Sequence, residues 1–392
     1  MSRAAPGHVL VLGPLPPPVH GAAVVTVGMI EWLRRAGIRV SIVDASVDSH
    51  GIATISGFGP IARYLLARLW KHAVCCAALL RRPDVLYVGG AGDRGLYFQL
   101  ICLVAARIVQ VPVVFHHHSS AYLVRHSRPM ALVCRVIRDR GVHLVLSEQM
   151  REQLAASYEV TNAESLSNSL FVRSGTRPHP PATSGPVRLG HISNLSIDKG
   201  MRDIADTVAA LETAGRDFEL HIAGPVADRP TQDLLDDLQR GRRNVVVHGP
   251  LDGSALVGFY DNLDLLLFPS RYRHEAAPMV VLEAASRSVP ALAHPVGSLP
   301  ELVCSADLIA PIGEFAGRAD ELVGNWADAG AELSELSYAG FLRQRAEAED
   351  GLQGLWARYL PTRRLDRAQK RADVSPGSEP DRPAAPLAPR HR

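Results

Sequence analysis

The chain has 392 residues, 47% hydrophobic and 21% charged, with 42 Lys and Arg against 40 Asp and Glu. Its length exceeds one ordinary core and points to two domains, and its apolar content excludes disorder along the whole chain. A formal net charge of +2 is too mild for nucleic acid as the main partner.

The five cysteines, Cys75, Cys76, Cys102, Cys134 and Cys304, are odd in number and show no metal-ligand spacing. Most lie in apolar runs, so they read as buried thiols of a reducing, cytoplasmic compartment. The apolar stretch 9–13 stops at Pro14 and is too brief for a signal-peptide core. No apolar run is long enough to span a membrane.

Residues 8–13 form a short apolar run closed by a Gly/Pro loop, and 22–35 have helical length and spacing, which predicts strand, loop and helix. Strands are then expected at 39–44, 85–88, 111–115 and 144–147, with helices at 61–80 and 95–109. Strands separated by such helices need crossover connections, so the sheet is expected to be parallel and covered on both faces.

Across 174–186 the sequence fills with Pro, Gly, Ser and Thr, the composition of a linker. A second series comes after it, with strands at 188–192, 219–223, 245–248 and 265–268. Its helices are expected at 201–214, 231–240, 254–262, 279–286, 314–328 and 341–359. The fold class read from this is α/β, two Rossmann-like doubly wound parallel-sheet domains at 1–173 and 187–340 facing a cleft. A last helical segment takes 341–360, and 361–392 have the composition of a disordered tail.

Open α/β sheets bind ligands beyond the carboxyl ends of their strands, so the chemistry is to be sought in those loops. In RYRHEAAPMVVLEAASRSVPALA, from Arg271, Pro278 is placed to open a helix at its first position. That leaves the N–H groups of Met279 and Val280 at the positive end of the dipole, where an anion binds well. Glu275 lies in the loop before this helix and Glu283 one to two turns into it. Eight helical residues would separate the two by about 12 Å, more than a hydrolytic carboxylate pair uses. Separate roles along one extended ligand are expected.

In LGHISNLSIDKG, 189–200, a strand runs to Lys199 and Gly200 at a helix start. The chain has three lysines, Lys71, Lys199 and Lys370, and a compact ammonium at such a junction suits phosphate. An exposed surface lysine is the alternative.

In PVVFHHHSS, Pro112 starts a strand ending in His116, His117 and His118. Alternation puts His116 and His118 on one face and His117 on the other. A ligand contact is expected of His118, while structural roles stay open for His116 and His117. Further ligands at a suitable spacing are not apparent nearby, so no metal is expected.

GPLPPPVHGAA, 13–23, places Gly21 at the mouth of a helix but is not G-x-G-x-x-G, because prolines remove its donors. A nicotinamide cofactor is therefore not expected. Segment 61–82 interleaves apolar residues with Arg63, Arg68, Lys71, Arg81 and Arg82. It reads either as a peripheral contact with an anionic membrane or as a domain helix with snorkelling cations.

From Val9 to Tyr359 these segments, in order, resemble glycosyltransferase family four of the GT-B fold, within the glycosyl transferases of group one. The most specific element is E-x7-E, Glu275 to Glu283, preceded by LDLLLFPS and followed by EAASRSVPALA. The resemblance implies that Glu275 meets donor-sugar hydroxyls, that Glu283 meets the nucleotide ribose, and that Lys199 and Gly200 meet the diphosphate. Asn194 stands where the family usually has arginine, and Glu275-Ala276-Ala277-Pro278 replaces the usual E-G-F-G. His118, six positions after Pro112, corresponds to the family's N-terminal-domain histidine, and His20-Gly21-Ala22 to its first loop.

The same resemblance implies transfer of a sugar from a nucleotide-diphosphate sugar to a saccharide, lipid-linked or small-molecule acceptor, with retained anomeric configuration and no metal. The implied catalytic residues are His118, Glu275 and Lys199. The implied donor-binding residues are Gly21, Asn194, Lys199, Gly200, Glu275, Pro278, Met279, Val280 and Glu283. The last helix is expected to cross back onto the N-terminal domain. A bacterial polysaccharide or glycoconjugate pathway is the expected setting, in the cytoplasm or peripherally on the inner face of the plasma membrane. The rivals are a nucleotide-sugar epimerase of the same architecture and a non-catalytic binding protein that keeps the fold.

Overall fold

The computed structural model describes residues 7–46, 58–92, 94–173 and 185–360. Most of the expected linker, 174–184, and the expected tail, 361–392, lie outside the described residues.

The first domain runs β1 (His8–Gly13), α1 (Gly21–Arg35), β2 (Arg39–Asp44), α2 (Phe58–Leu79), β3 (Val85–Gly89), α3 (Gly95–Ile108), β4 (Val113–His116), α4 (Ala121–Val124), α5 (Arg128–Ile137), β5 (Gly141–Val145), α6 (Glu148–Tyr158) and β6 (Ala163–Ser165). Its strands pair in parallel in the order β2-β1-β3-β4-β5-β6. Central β1 and β3 are buried at every position, as a parallel sheet covered on both faces requires.

The second domain runs β7 (Val187–Ile192), α7 (Met201–Thr213), β8 (Phe218–Ala223), α8 (Arg229–Gln239), β9 (Val245–Gly249), α9 (Gly253–Asp261), β10 (Leu265–Phe268), α10 (Met279–Ala285), β11 (Ala291–Ala293), α11 (Leu299–Leu302), α12 (Phe315–Gly324) and α13 (Trp326–Tyr359). Here the parallel order is β11-β10-β7-β8-β9.

Three expected segments are corrected. The strand expected at 144–147 is β5, three residues earlier, because Ser147 is the N-cap of α6 and its hydroxyl accepts the Met150 N–H. The helices expected at 314–328 and 341–359 divide elsewhere: α12 stops at Gly324, and α13 runs 34 residues without interruption. Its first half buries Trp326 and Leu333 in the C-terminal core, and its second half buries Ala348, Leu352, Leu355 and Trp356 with the core around β1. One helix serving two cores changes its buried face along its length, which blurs a single 3.6-residue period. The short strands β6 and β11 and the helices α4, α5, α6 and α11 go unforeseen in the sequence.

The domains meet through specific contacts. Trp32 Nε1 donates to Glu349 Oε1 of α13 at 2.8 Å, and Arg345 donates to the Val172 carbonyl at 2.9 Å. Glu301 accepts the N–H groups of Glu148 and Gln149 at 2.9 and 2.8 Å, so a carboxylate of the second domain caps α6 of the first. Burying leucines such as Leu352 and Leu355 contributes about 1.5–3 kcal/mol each before entropy is counted. Among the described residues no helix is long and apolar enough to cross a membrane.

Candidate functional site

In a doubly wound sheet the loops part where the strand order reverses, and a crevice opens there. The reversal lies between β7 and β10 in the second domain and between β1 and β3 in the first. Loops from both points line one cleft of about 820 Å³ between the domains. His20, Gly21 and His118 line it from the first domain, and Asn194, Lys199, Glu275, Pro278, Met279 and Val280 from the second. Of the residues singled out in the sequence, Gly200 and Glu283 stand behind this lining.

Lys199 ends a 3-10 turn, Ile197–Lys199, capped by Ser196. Gly200 follows at φ 91°, and a Cβ there would lie 2.1 Å from the Pro269 carbonyl oxygen. Both the left-handed backbone and the close approach require glycine. The turn sets Lys199 Nζ 2.6 Å from Glu275 Oε2, and the Ser270 hydroxyl donates to the same oxygen at 2.8 Å. Their side chains are 22% and 10% exposed, so the pair is poorly screened by water. Lys199 Nζ also stands 4.8 Å from the Tyr272 ring centroid.

The loop carrying Glu275 is held by its backbone. The Ser298 N–H donates to the Ala276 carbonyl, and Gly297 approaches so closely that a Cβ would lie 2.0 Å from the Glu275 carbonyl oxygen. Ala276 and Ala277, which replace the usual glycine and phenylalanine, are buried. Pro278 is corrected from first helical residue to N-cap: its ψ of 123° is extended, and α10 begins at Met279. Glu283 accepts a hydrogen bond from the Tyr260 hydroxyl at 2.8 Å, and burial raises its carboxyl above the usual range.

Asn194 is exposed and brings no charge to the lining. Arg271, to which no sequence motif gives a role, does not replace the missing arginine: it forks onto Asp203 at 2.8 and 2.6 Å. Burial alone would raise the Asp203 carboxyl, but His294, with Nε2 3.5 Å away, and the Arg271 guanidinium outweigh it and hold it at about 2. Among the described residues Lys199 is the one Lys or Arg that lines the cleft.

The three consecutive histidines separate. His116 Nδ1 is 2.7 Å from the Tyr87 hydroxyl; His117 binds the Tyr122 hydroxyl and His143 at 2.5 and 2.9 Å, and both rings are fully buried. Only His118 reaches the cleft. Its Nε2 has no hydrogen-bond partner, and burial, with His20 beside it, pushes the imidazole down to about 3. It is a neutral hydrogen-bonding group at physiological pH. His20, another residue without a role of its own in the sequence motifs, caps α1 by accepting the Ala23 N–H and lines the cleft beside Gly21. The signal for it was its place just before the helix-opening glycine.

Gly21 and Met279 face each other across the cleft, a Cβ at Gly21 lying 3.7 Å from Met279 Cγ. Among the described residues no group of three His, Cys, Asp or Glu side chains is placed to hold a metal ion.

Residues 186–325 match the family described as Glycosyl transferases group 1. The alpha-D-kanosaminyltransferase of Streptomyces kanamyceticus is 25% identical over 239 residues, covering 55% of this chain and 59% of that protein, less than two thirds of its length. The 2-deoxystreptamine glucosyltransferase of the same organism is 27% identical over 301 residues, 69% of this chain and 76% of its own. The fold is similar to that of Anabaena Alr3699/HepE in complex with UDP, with a TM-score of 0.60 at 14% identity over 89% of this chain and 100% of that one.

Proposed function

We propose that this chain, a GT-B protein whose residues 186–325 belong to the glycosyl transferases group 1, is a retaining glycosyltransferase. It moves a sugar from a nucleoside-diphosphate donor to a hydroxyl of a saccharide, lipid-linked or small-molecule acceptor. The observation that carries this reading is the Lys199–Glu275 pair at the switch point of the second sheet, across the cleft from His118.

A diphosphate arriving beside Lys199 offers the ammonium more negative charge than one carboxylate does, so Lys199 turns to it. Glu275 is then released to accept hydroxyls of the donor sugar. As the bond from the anomeric carbon to the diphosphate oxygen breaks, negative charge grows on the leaving group, and Lys199 stabilises it. The acceptor hydroxyl attacks on the same face and passes its proton to the departing diphosphate, which balances the reaction without a covalent enzyme intermediate. Neutral His118 hydrogen-bonds a sugar hydroxyl, and Glu283 takes the ribose in place of Tyr260.

UDP, bound in the Anabaena protein, is the donor moiety to try first. Its affinity, measured by calorimetry for wild type, Lys199→Ala and Glu283→Ala, is expected to fall about tenfold or more in each variant. Equal binding in all three would sink the proposal. Mass detection of products from a donor panel then separates transfer from epimerisation and from binding alone.

Peripheral membrane contact belongs to the same proposal. Helix α2 exposes Leu66 and Trp70, 65% and 71% accessible, with Leu65, Leu69 and exposed Arg63 beside them, a basic and apolar face suited to anionic lipid. Lys71 is withdrawn from that face by Asp44 and the Ser46 carbonyl. Failure to float with phosphatidylglycerol vesicles at low salt removes this part.

A further inference from the structure

A second cavity, of about 310 Å³, lies at the switch point of the first sheet, beyond the ends of β1 and β3. It shares His20, Ala22, His118 and Ser119 with the main cleft, so the two spaces meet at His118. Part of its wall is α2, through Arg68 and His72.

Arg68 holds its guanidinium against Tyr64 and Phe98, with Cζ 5.2 and 5.6 Å from their ring centroids. Its Nε is shielded from water and has no hydrogen-bond partner. Among the described residues no carboxylate pairs with it; Asp44, beside the lining residue Ala45, is held by Lys71. One turn along, His72 is 3% exposed, and its Nδ1 lies 2.7 Å from the Arg68 carbonyl oxygen. A carbonyl only accepts, so Nδ1 carries the proton and Nε2 is left as an acceptor, also without a partner. Burial is the main cause lowering the His72 imidazole and keeping it neutral, and the Arg68 charge adds to it.

Other polar side chains of the lining are already engaged: Gln99 binds the Ala91 N–H and the Gly89 carbonyl, Ser46 binds the Leu15 backbone, and Ser119 accepts the Ala121 N–H. Gly90 in the lining lets the backbone pack closely on the core, since a Cβ there would lie 2.7 Å from the Phe115 ring. The Arg68 Nε–H and the His72 Nε2 acceptor, both shielded and both without a hydrogen-bond partner, are costly in the free protein. A ligand carrying a negative oxygen and a hydroxyl relieves both.

Resting on the glycosyl-transfer reading above, we propose that this cavity receives the acceptor and selects one bearing an oxyanion. A phosphate or carboxylate of the acceptor accepts from Arg68, a neighbouring hydroxyl donates to His72 Nε2, and the attacking hydroxyl is left toward His118 and the donor. Arg68 is thus a specificity residue: it favours anionic acceptors and disfavours cationic ones by charge repulsion.

The test is to titrate the full chain with glucose 6-phosphate, glucuronate, glucose and glucosamine, following binding by ligand-observed NMR. UDP is kept saturating so that the site at Lys199 is filled, and the series is repeated in Lys199→Ala without UDP. Both anionic sugars, or the one whose anion fits, are expected to bind about tenfold more tightly than glucose, with glucosamine weakest. Which of the two anions prevails tells phosphate from carboxylate. Arg68→Gln is expected to erase the preference while leaving UDP affinity within about twofold, and Arg68→Lys to retain part of it. His72→Gln weakens anionic sugars and glucose alike. Equal affinity for glucose and both anionic sugars in wild type overturns the proposal, as does a preference that survives Arg68→Gln. Absence of UDP binding in wild type instead overturns the donor reading, and the titration in Lys199→Ala still reads the acceptor cavity.

Discussion

At the C-terminal switch point the charged side chains are matched within the free protein: Lys199 with Glu275, Arg271 with Asp203, Glu283 with Tyr260. At the N-terminal switch point, Arg68, His72 and His118 each keep a shielded nitrogen without a partner. The same topology therefore supports two kinds of site. The first is pre-ordered by pairs that a ligand must exchange, so it favours a highly charged ligand. The second is left unsatisfied, and selects by the partner it lacks.

The largest expected effect breaks the matched side. Lys199→Ala strands the Glu275 carboxylate, 10% exposed, and is expected to cost about 2 kcal/mol of stability and at least about 100-fold in turnover. Adding Glu275→Gln is expected to recover stability in denaturant unfolding but not turnover. A double variant no more stable than Lys199→Ala would show that the pair is not what orders the site.

Next is the scaffold under the pair. Gly200→Ala meets both a positive φ and a Cβ 2.1 Å from backbone, and is expected to lower stability by about 2 kcal/mol or more. Gly37→Ala, at φ 75° with open space around it, is expected to cost about 1 kcal/mol. Equal melting shifts in the two would show that the close approach at Gly200 adds nothing.

The histidine-rich side should answer to acid. Burial is the main cause holding His116 and His117 well below their ordinary value and His143 at about 4, so all three are neutral when folded. The unfolded chain takes up protons below about pH 6.5 and the folded chain does not, so this contribution is fully present above 6.5 and shrinks as pH falls. A loss of about 1.4 kcal/mol per pH unit for each histidine is the upper limit below that point. Thermal unfolding between pH 7 and 5 checks it, and a flat midpoint would contradict it.

The smallest effect concerns the contact between the two domains at Glu301. Glu301→Gln keeps one acceptor for the N–H groups of Glu148 and Gln149 but removes the charge, at an expected cost of about 0.5–1 kcal/mol in unfolding. UDP affinity is expected to stay within about threefold, and a larger loss would tie domain closure to donor binding.

Strand and helix order was legible in both domains because periodicity is carried within each element: β1, β2 and β10 stand where the alternation of apolar runs and helices put them. Lys199 and Glu275 were legible as loop residues after β7 and β10. Short pieces escaped, since three residues in β6 or β11 carry no period, and Ser147 looked like strand until its hydroxyl proved to cap a helix.

The sequence by itself therefore determined two parallel sheets and which loops bear charge, because those are properties of neighbouring residues. Tertiary structure alone decided that Lys199 meets Glu275, 76 residues away, that His118 and not His116 or His117 opens on the cleft, and that Arg68 turns into a cavity instead of lying among the solvated charges of α2. Each depends on which distant element fills the space beside the side chain, and a one-dimensional pattern holds no record of that.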